Sequence, residues 1–209
     1  MKQFTYFFKQ LFIPYMYLGM FALIDFAILC IGDTPGLIAL KVCLVAVCLI
    51  FFVVLMSIVS YRDGQTAYKT LLANDINRRQ MIETGREYPI KKAEEYKSYK
   101  GFVSGLIVCV PLIICTIIHM CTSGFSNTTG SSTSNGAGVV MSFIYMVVFA
   151  FARVNNSLPI VPNVFYVCLT ALPIIVLSMG IPYILGAKKI IRQQEMIKKQ
   201  QNYLHGGSN

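Results

Sequence analysis

Long apolar stretches, separated by short blocks that hold most of the charges, dominate this chain of 209 residues. A helix needs about 20 apolar residues to cross the hydrocarbon core of a bilayer, which is about 30 Å thick. The stretches that meet this length are 11–31, 37–60, 102–121 and 164–186. The pattern therefore predicts an all-α, polytopic membrane helical bundle with four transmembrane helices, forming one integral membrane domain over residues 1–209.

A further apolar stretch, 138–152, is shorter than these spans. Its roughly 15 residues make about 22 Å of helix, and Arg153 follows it directly. Pro159 and Pro162 then favour a turn back into the last span. We interpret 122–162 as an outer loop with a short re-entrant or interfacial helix on the outer side. The alternative is a fifth crossing.

The distribution of basic residues distinguishes four spans from five. Four spans place both termini, the helical loop 61–100 and the tail 187–209 in the cytoplasm, and they leave only Lys41 and Arg153 on the other side. Five spans would move all the basic residues of the tail to the outer side. Because short cytoplasmic loops carry an excess of Lys and Arg, the sequence predicts four spans in a multi-pass protein of the plasma (inner) membrane.

Composition excludes several classes of protein. Apolar and aromatic residues make up 56% of the chain, charged residues 13%, and the mean hydropathy is +0.62. These values exclude a cytosolic enzyme, a secreted disulfide-rich module and a disordered tail. The net charge of +9 does not indicate nucleic-acid binding, because the loop 61–100 mixes acidic with basic residues instead of forming a basic stripe.

The loop 61–100 contains signals for two helices. Asp75 is predicted to cap a short helix over 76–84, which Gly85 ends in a left-handed conformation. Pro89 is predicted in the first turn of another helix that runs into the third span, so we expect the third span to project into the cytoplasm. The loop is either a docking platform for a soluble partner or a helical hairpin that joins two spans.

Basic residues cluster again in the tail. Each basic residue near an anionic leaflet contributes on the order of 1 kcal/mol to membrane binding. We therefore expect the tail helix to contact the anionic lipid of the inner leaflet, although the same residues also serve as the orientation signal. The residues are Lys188, Lys189, Arg192, Lys198 and Lys199.

A few ionisable residues fall inside or at the edge of the predicted spans, where they are costly and mark partners or pathways. They are Asp25, Lys41, His119 and Arg153. In one interpretation they line a polar pocket that opens outward, where Asp25 and His119 exchange protons in a coupled transport step. In the other, Asp25 and Lys41 neutralise each other, His119 binds a carbonyl, and Arg153 extends to the headgroups.

Small residues and prolines indicate how the helices pack. Gly101 and Gly105 form a G-x-x-x-G at the start of the third span, which allows close approach of another helix, from this chain or from a second copy in a homo-oligomer. Pro173 and Pro182 each remove a backbone donor from the last span. Bundle shaping is the simpler explanation for these prolines, and gating is the alternative.

No motif identifies a reaction. The sequence lacks H-E-x-x-H, G-x-S-x-G, a Walker loop and paired intramembrane aspartates. Its seven cysteines lie in or beside apolar segments and match no zinc pattern, so we predict no catalytic residue, metal or cofactor. The leading hypothesis is a non-catalytic accessory or scaffolding subunit with a cytoplasmic docking loop. A small transporter or channel using Asp25 is the alternative, and a membrane-embedded enzyme is the least supported class.

Overall fold

The computed structural model describes residues 2–29, 35–123 and 164–206, with α-helices as its main elements. The elements are α1 (Lys2–Leu29), α2 (Pro35–Thr84), a 3₁₀ turn (Lys92–Glu94), α3 (Lys100–Ser123) and α4 (Val164–Gly206). Across the described ranges every regular element is helical, which confirms the all-α class.

Helix α2 is one uninterrupted helix of 50 residues, which corresponds to about 75 Å. The predicted separate helix over 76–84 is wrong, because α2 passes through Asp75 without a break. No proline interrupts this part of the chain, and continuing a helix avoids the cost of nucleating a second one. Asp75 binds Arg78 within the same helix, at 2.8 Å between carboxylate and guanidinium.

The end of α2 agrees with the prediction. Gly85 has a φ of 64°, and its N–H donates to the carbonyl of Met81 at 3.0 Å. This is the left-handed termination that glycine favours. The predicted helix starting near Pro89 is wrong, since residues 85–91 are irregular and lead into the 3₁₀ turn. Helices α2 and α4, rather than α3, therefore carry the long polar extensions.

The extensions lie at the same end of the bundle, which we call the polar end. It comprises residues 61–84 of α2, the connecting segment 85–99, and α4 from residue 187 onward. Helix α1 contacts the 3₁₀ turn of the connecting segment as well as α2 and α3. The hydroxyl of Tyr15 also donates to the carbonyl of Ile107 at 3.1 Å, which fixes α1 against α3.

Helix α4 packs between α2 and α3, parallel to α2 and antiparallel to α3. Gly101, at the start of α3, faces Tyr183, whereas Gly105, one turn later, faces Val176. Helices α3 and α4 are therefore antiparallel. On the other side, Ser57 contacts Ser178 and the later Gly64 faces Tyr183, so α2 and α4 are parallel. The end of α3 and the start of α4 consequently lie together, opposite the polar end.

The bundle has a small apolar core shared by all four helices. Its buried residues are Leu11, Leu18, Phe21, Phe52, Met56, Val108, Cys109, Ile175 and Met179. The rings of Phe21 and Phe52 meet edge to face with centroids 5.8 Å apart, a favourable aromatic geometry. The core lies where α1 crosses the other helices, next to the polar end.

Among the described residues, two helices are long and apolar enough to cross a membrane, namely Ala39–Thr84 of α2 and Leu172–Tyr203 of α4. Only 18% of the most apolar window of α2 is buried, whereas a core helix of a soluble protein is mostly buried. Phe51 and Ile50, for example, are 60% and 62% exposed. In α1 and α3 the described apolar helical segments, Leu11–Phe21 and Lys100–Val110, are too short to meet this criterion. The predicted set of four spans is thus supported for two of them.

Candidate functional site

Glycines bring α2 and α4 into backbone contact where the polar end begins. A Cβ added at Gly64 would overlap the carbonyl oxygen of Tyr183, and one at Gly186 would overlap the carbonyl oxygen of Tyr61. Each helix therefore places a glycine against a carbonyl of the other. Such close approaches bring Cα–H groups to carbonyl oxygens, as is common where helices pack through small residues. We call this contact the glycine crossing.

Serines of α2 compensate for a proline in α4 just before the glycine crossing. Pro182 has no N–H, so the carbonyl of Ser178, four residues earlier, loses its helical donor. The hydroxyl of Ser57 donates to that carbonyl at 3.2 Å, and the hydroxyl of Ser60 donates to the next one, of Met179. The interruption in α4 is thus satisfied from the neighbouring helix.

This compensation predicts a coupling between Ser57 and Pro182. Ser57→Ala is expected to destabilise the protein by about 1 kcal/mol, because the carbonyl of Ser178 then has no donor. In a Pro182→Ala background the helical N–H is restored, so the cost of Ser57→Ala should largely vanish. A double-mutant cycle on detergent-solubilised protein measures this. Equal costs of Ser57→Ala in both backgrounds would show that the bond does not serve the proline.

Beyond the crossing, Glu95 holds the connecting segment against α2. One of its carboxylate oxygens accepts from the amide of Asn74 at 2.9 Å and from the guanidinium of Arg78. The Glu95 side chain is only 13% exposed. Asn74 is buried, and its amide oxygen accepts from the backbone N–H of Lys91 at 3.1 Å. Asn74 therefore binds the segment at two points.

Lys100 closes the connecting segment from its other end. Its ammonium donates to the carbonyls of Ala93 and Glu95 at 2.7 and 2.6 Å, and the residue is 7% exposed. Burial lowers the pKa of Lys100, and the charge of Lys97 lowers it further, while Glu95 and Glu94 oppose the shift. Together with Asn74, Arg78 and Glu95, Lys100 forms what we call the clamp.

An aromatic stack joins the clamp to the glycine crossing. The ring of Tyr96 stacks on Tyr183 with centroids 5.5 Å apart and meets Tyr68 edge to face at 5.7 Å. The backbone N–H of Tyr96 donates to the carbonyl of Ala67 at 3.1 Å. Burial raises the pKa of the Tyr96 phenol, and the nearby Tyr68 raises it further. The connecting segment is thus fixed to both α2 and α4.

The raised pKa of Tyr96 predicts a loss of stability in alkali. The folded state favours the neutral phenol, so this contribution is fully present below pH 10 and is lost as the pH rises through the raised pKa. Tyr96→Phe keeps the stacked ring and removes the ionisation. We expect the unfolding midpoint of the variant to fall less than that of wild type as the pH rises above 10, the ordinary pKa of tyrosine. Parallel curves would contradict this role for Tyr96.

The ionisable residues predicted inside the spans are only partly covered by the structure. Lys41 lies in α2 and is 5% exposed. Asp25 lies in α1 and His119 in α3, but their side chains are outside the described part of the chain. The segment 122–162, which contains Arg153, lies outside it too, except for its first two residues, which end α3. The outward-opening pocket therefore stays a prediction.

The other predicted residues lie in the polar end or in the first turns of α3 next to it. Gly101 and Gly105 lie in the interface with α4, where an added Cβ would come within 2.6 Å of the Tyr183 side chain and 2.8 Å of the Val176 backbone. The basic residues of the tail all lie on α4 and are exposed. The tail continues the last span as one helix of 43 residues.

The residues of the clamp and of the glycine crossing were not singled out by the sequence. Gly64 and Gly186 lie at the ends of apolar stretches. Nothing in the spacing of the two glycines indicates that each contacts a carbonyl of the other helix. Asn74 lies within a polar loop and resembles any solvated residue. A buried asparagine or a paired serine is recognisable only after its partner helix is known, because each contact joins residues far apart in sequence.

The described side chains of this region hold the connecting segment against α2 and α4. Among the side chains that the structure describes, no group of three or more His, Cys, Asp and Glu is placed to hold a metal ion. The charged groups of the clamp are engaged with one another and with backbone carbonyls. What the polar end offers is a surface in which the clamp holds the connecting segment against α2. Searches of protein-family models, curated proteins and solved structures find no match to this chain.

Proposed function

We propose that the chain is a non-catalytic, multi-pass membrane protein, an accessory or scaffolding subunit whose polar end docks a cytoplasmic partner. The observation that carries the proposal is the clamp. A segment that merely joined two spans would need no buried asparagine, no shielded carboxylate and no buried lysine to hold it. Ordering these groups costs conformational entropy, and the result is a preorganised surface of the kind that favours binding.

The last turns of α2 present the most prominent face of this surface. Arg79, Ile82, Glu83 and Arg86 recur at helical spacing, the first three within α2 and the last just after it, and all are exposed. Ile82 is 85% exposed, which is costly in water for a large apolar side chain. An apolar residue ringed by mixed charges is the usual composition of a protein–protein contact.

Helix directions support the four-span topology on which this proposal rests. Because α3 and α4 are antiparallel neighbours, both ends of the segment 124–163 start from the same end of the bundle. An even number of crossings within that segment, including none, satisfies this arrangement, whereas a single fifth crossing would make α3 and α4 parallel. With the lysines and arginines gathered at the polar end, the positive-inside rule favours a cytoplasmic polar end and cytoplasmic termini.

Co-purification in mild detergent tests the proposal. Tagged full-length protein is expected to retain a partner in stoichiometric amounts, and Ile82→Asp or Glu95→Ala should reduce its recovery at least fivefold. Glu87→Ala, which removes an exposed carboxylate from the same segment, is the matched control and should change nothing. A strictly solitary protein, or a partner retained equally by all variants, would overturn the proposal.

A small transporter is the second candidate, and it rests on the burial of Lys41. An ionisable residue buried within an apolar helix suggests a partner or a pathway, and Asp25 of α1 is the acidic residue predicted at its level. Flux through the reconstituted protein should fall to background in Asp25→Asn if the two residues form such a pathway. Unchanged flux, or none from wild type, would exclude this candidate.

A further inference from the structure

The last turns of α4 stand apart from the rest of the bundle. Ala187 and Ile190 are buried against the neighbouring helices, at 0% and 8% exposure. Beyond Gln194, every residue from 195 to 203 is exposed. A short helical segment without packing is marginally stable in water, so this part of α4 gains stability from whatever covers it.

One face of this segment has a regular pattern. Residues separated alternately by four and three positions form a straight stripe directed away from the buried Ala187 and Ile190. We call it the outer stripe, and its members are Leu185, Lys189, Arg192, Met196, Lys199 and Tyr203. All are exposed, with Met196 at 58% and Tyr203 at 83%. Alternating spacing of this kind is the seam along which two helices pack in a coiled coil.

A bilayer does not reach the distal half of the outer stripe. Lys199 lies about 20 Å beyond Gly186 along the axis of a continuous helix. The headgroup layer is only about 5–8 Å thick, and charges are screened over about 8 Å at physiological salt. Only part of the basic cluster is therefore placed to contact lipid. Lys188 and Lys189 lie beside the headgroups, whereas Lys198 and Lys199 lie past them.

A second copy of the chain is a poor occupant of the outer stripe. Two copies in one membrane have parallel α4 helices, so Lys189, Arg192 and Lys199 would each face the same residue of the other copy. Like charges opposed along a helical seam are destabilising. Among the described residues these basic side chains form no ion pair. The charge of the stripe is thus available to an acidic surface.

We propose that the outer stripe docks an acidic amphipathic helix of a partner protein. Carboxylates of that helix face Lys189, Arg192 and Lys199, and its apolar residues pack against Met196 and Tyr203. This helix-on-helix contact lies on α4, away from the clamp and Ile82. It rests on the proposed function only in that the polar end lies outside the bilayer.

Binding of a designed probe tests the chemistry of the stripe. The probe is a three-heptad helical peptide whose seam alternates Leu and Glu, added to full-length protein in nanodiscs of neutral lipid. Binding is expected for wild type and should weaken at least tenfold in the triple variant Lys189→Glu, Arg192→Glu, Lys199→Glu. A peptide with Lys in place of Glu should bind that variant instead. The matched control is Arg62→Glu, Lys69→Glu, Lys92→Glu, with the same change of charge on exposed positions outside both proposed docking surfaces, and it should stay within twofold of wild type.

A photoreactive residue at position 196 tests the same contact in cells. The proposal expects an adduct whose partner peptide is acidic and helical, lost in the charge-reversed triple variant. An adduct joining two copies of this chain, an adduct with lipid alone, or equal loss of probe binding in both triple variants would overturn it. Glu95→Ala separates the two proposals: it should leave probe binding intact even where it abolishes co-purification through the clamp.

Discussion

Alanine at Gly64 is expected to be the most damaging small substitution in this protein. The added Cβ would overlap the carbonyl oxygen of Tyr183, a backbone atom that cannot rotate away. Helices α2 and α4 must then move apart, and they lose the serine bonds beside Pro182 as well as their close backbone contact. Overpacking of this kind costs about 3 kcal/mol, which lowers the unfolding midpoint by roughly 6–12 °C. Gly186→Ala should behave in the same way.

The chain supplies its own control for this prediction. Gly19 lies in α1 with nothing within 4 Å of an added Cβ. Gly19→Ala removes backbone freedom from a helix without any clash, so it should leave the midpoint unchanged or raise it slightly. Thermal unfolding of the variants in one detergent compares them directly. If Gly64→Ala matched Gly19→Ala, the glycine crossing would not be the contact that holds α2 to α4.

Release of the connecting segment is the second large effect, and we expect it from Glu95→Ala. The substitution removes the acceptor of Arg78 and Asn74 in a site where the carboxylate is mostly shielded. Hydrogen bonds to charged groups contribute about 1.5–3 kcal/mol. A loss near 2 kcal/mol corresponds to about 30-fold faster local opening. Hydrogen exchange at the amides of Lys91 and Tyr96, which bond to α2, should accelerate by about that factor.

Glu87→Ala distinguishes the clamp from a general effect of charge. Glu87 belongs to the same segment and is exposed. Its removal therefore changes the net charge by the same amount as Glu95→Ala but breaks no buried contact. Exchange at Lys91 and Tyr96 should stay at the wild-type rate in this variant. Equal acceleration of exchange in both variants would contradict the role of Glu95, because the segment would then be held by its charge.

The helical class follows from the sequence because long apolar stretches leave no other way to satisfy the backbone in a bilayer. The end of α2 at Gly85 was also predictable, since the left-handed termination depends on one local residue. The continuity of α2 through Asp75 was not predictable. The capping preference of aspartate applies to a helix that starts there, not to one that is already under way. Here the preceding span already supplies the helical turn, and propagation is favoured over a new start.

The candidate site escaped prediction for a different reason. Pro182 indicated that a carbonyl of α4 would need a new donor, but nothing local identified Ser57 and Ser60 as its source. Likewise, Glu95 pairs with Arg78, which lies in α2, and no local pattern in the sequence indicates this partner. Such contacts depend on which helices become neighbours, and helix pairing is a global property of the fold.

The side of the membrane on which the polar end lies is the central claim, and cysteine accessibility measures it directly. Glu87→Cys and Tyr203→Cys, each in a cysteine-free background, are exposed to a membrane-impermeant maleimide in intact and in permeabilised cells. We expect both to be labelled only after permeabilisation, whereas Asn135→Cys in the predicted outer loop should be labelled in intact cells. Labelling of Tyr203→Cys in intact cells would contradict the four-span topology and the cytoplasmic docking surface built on it.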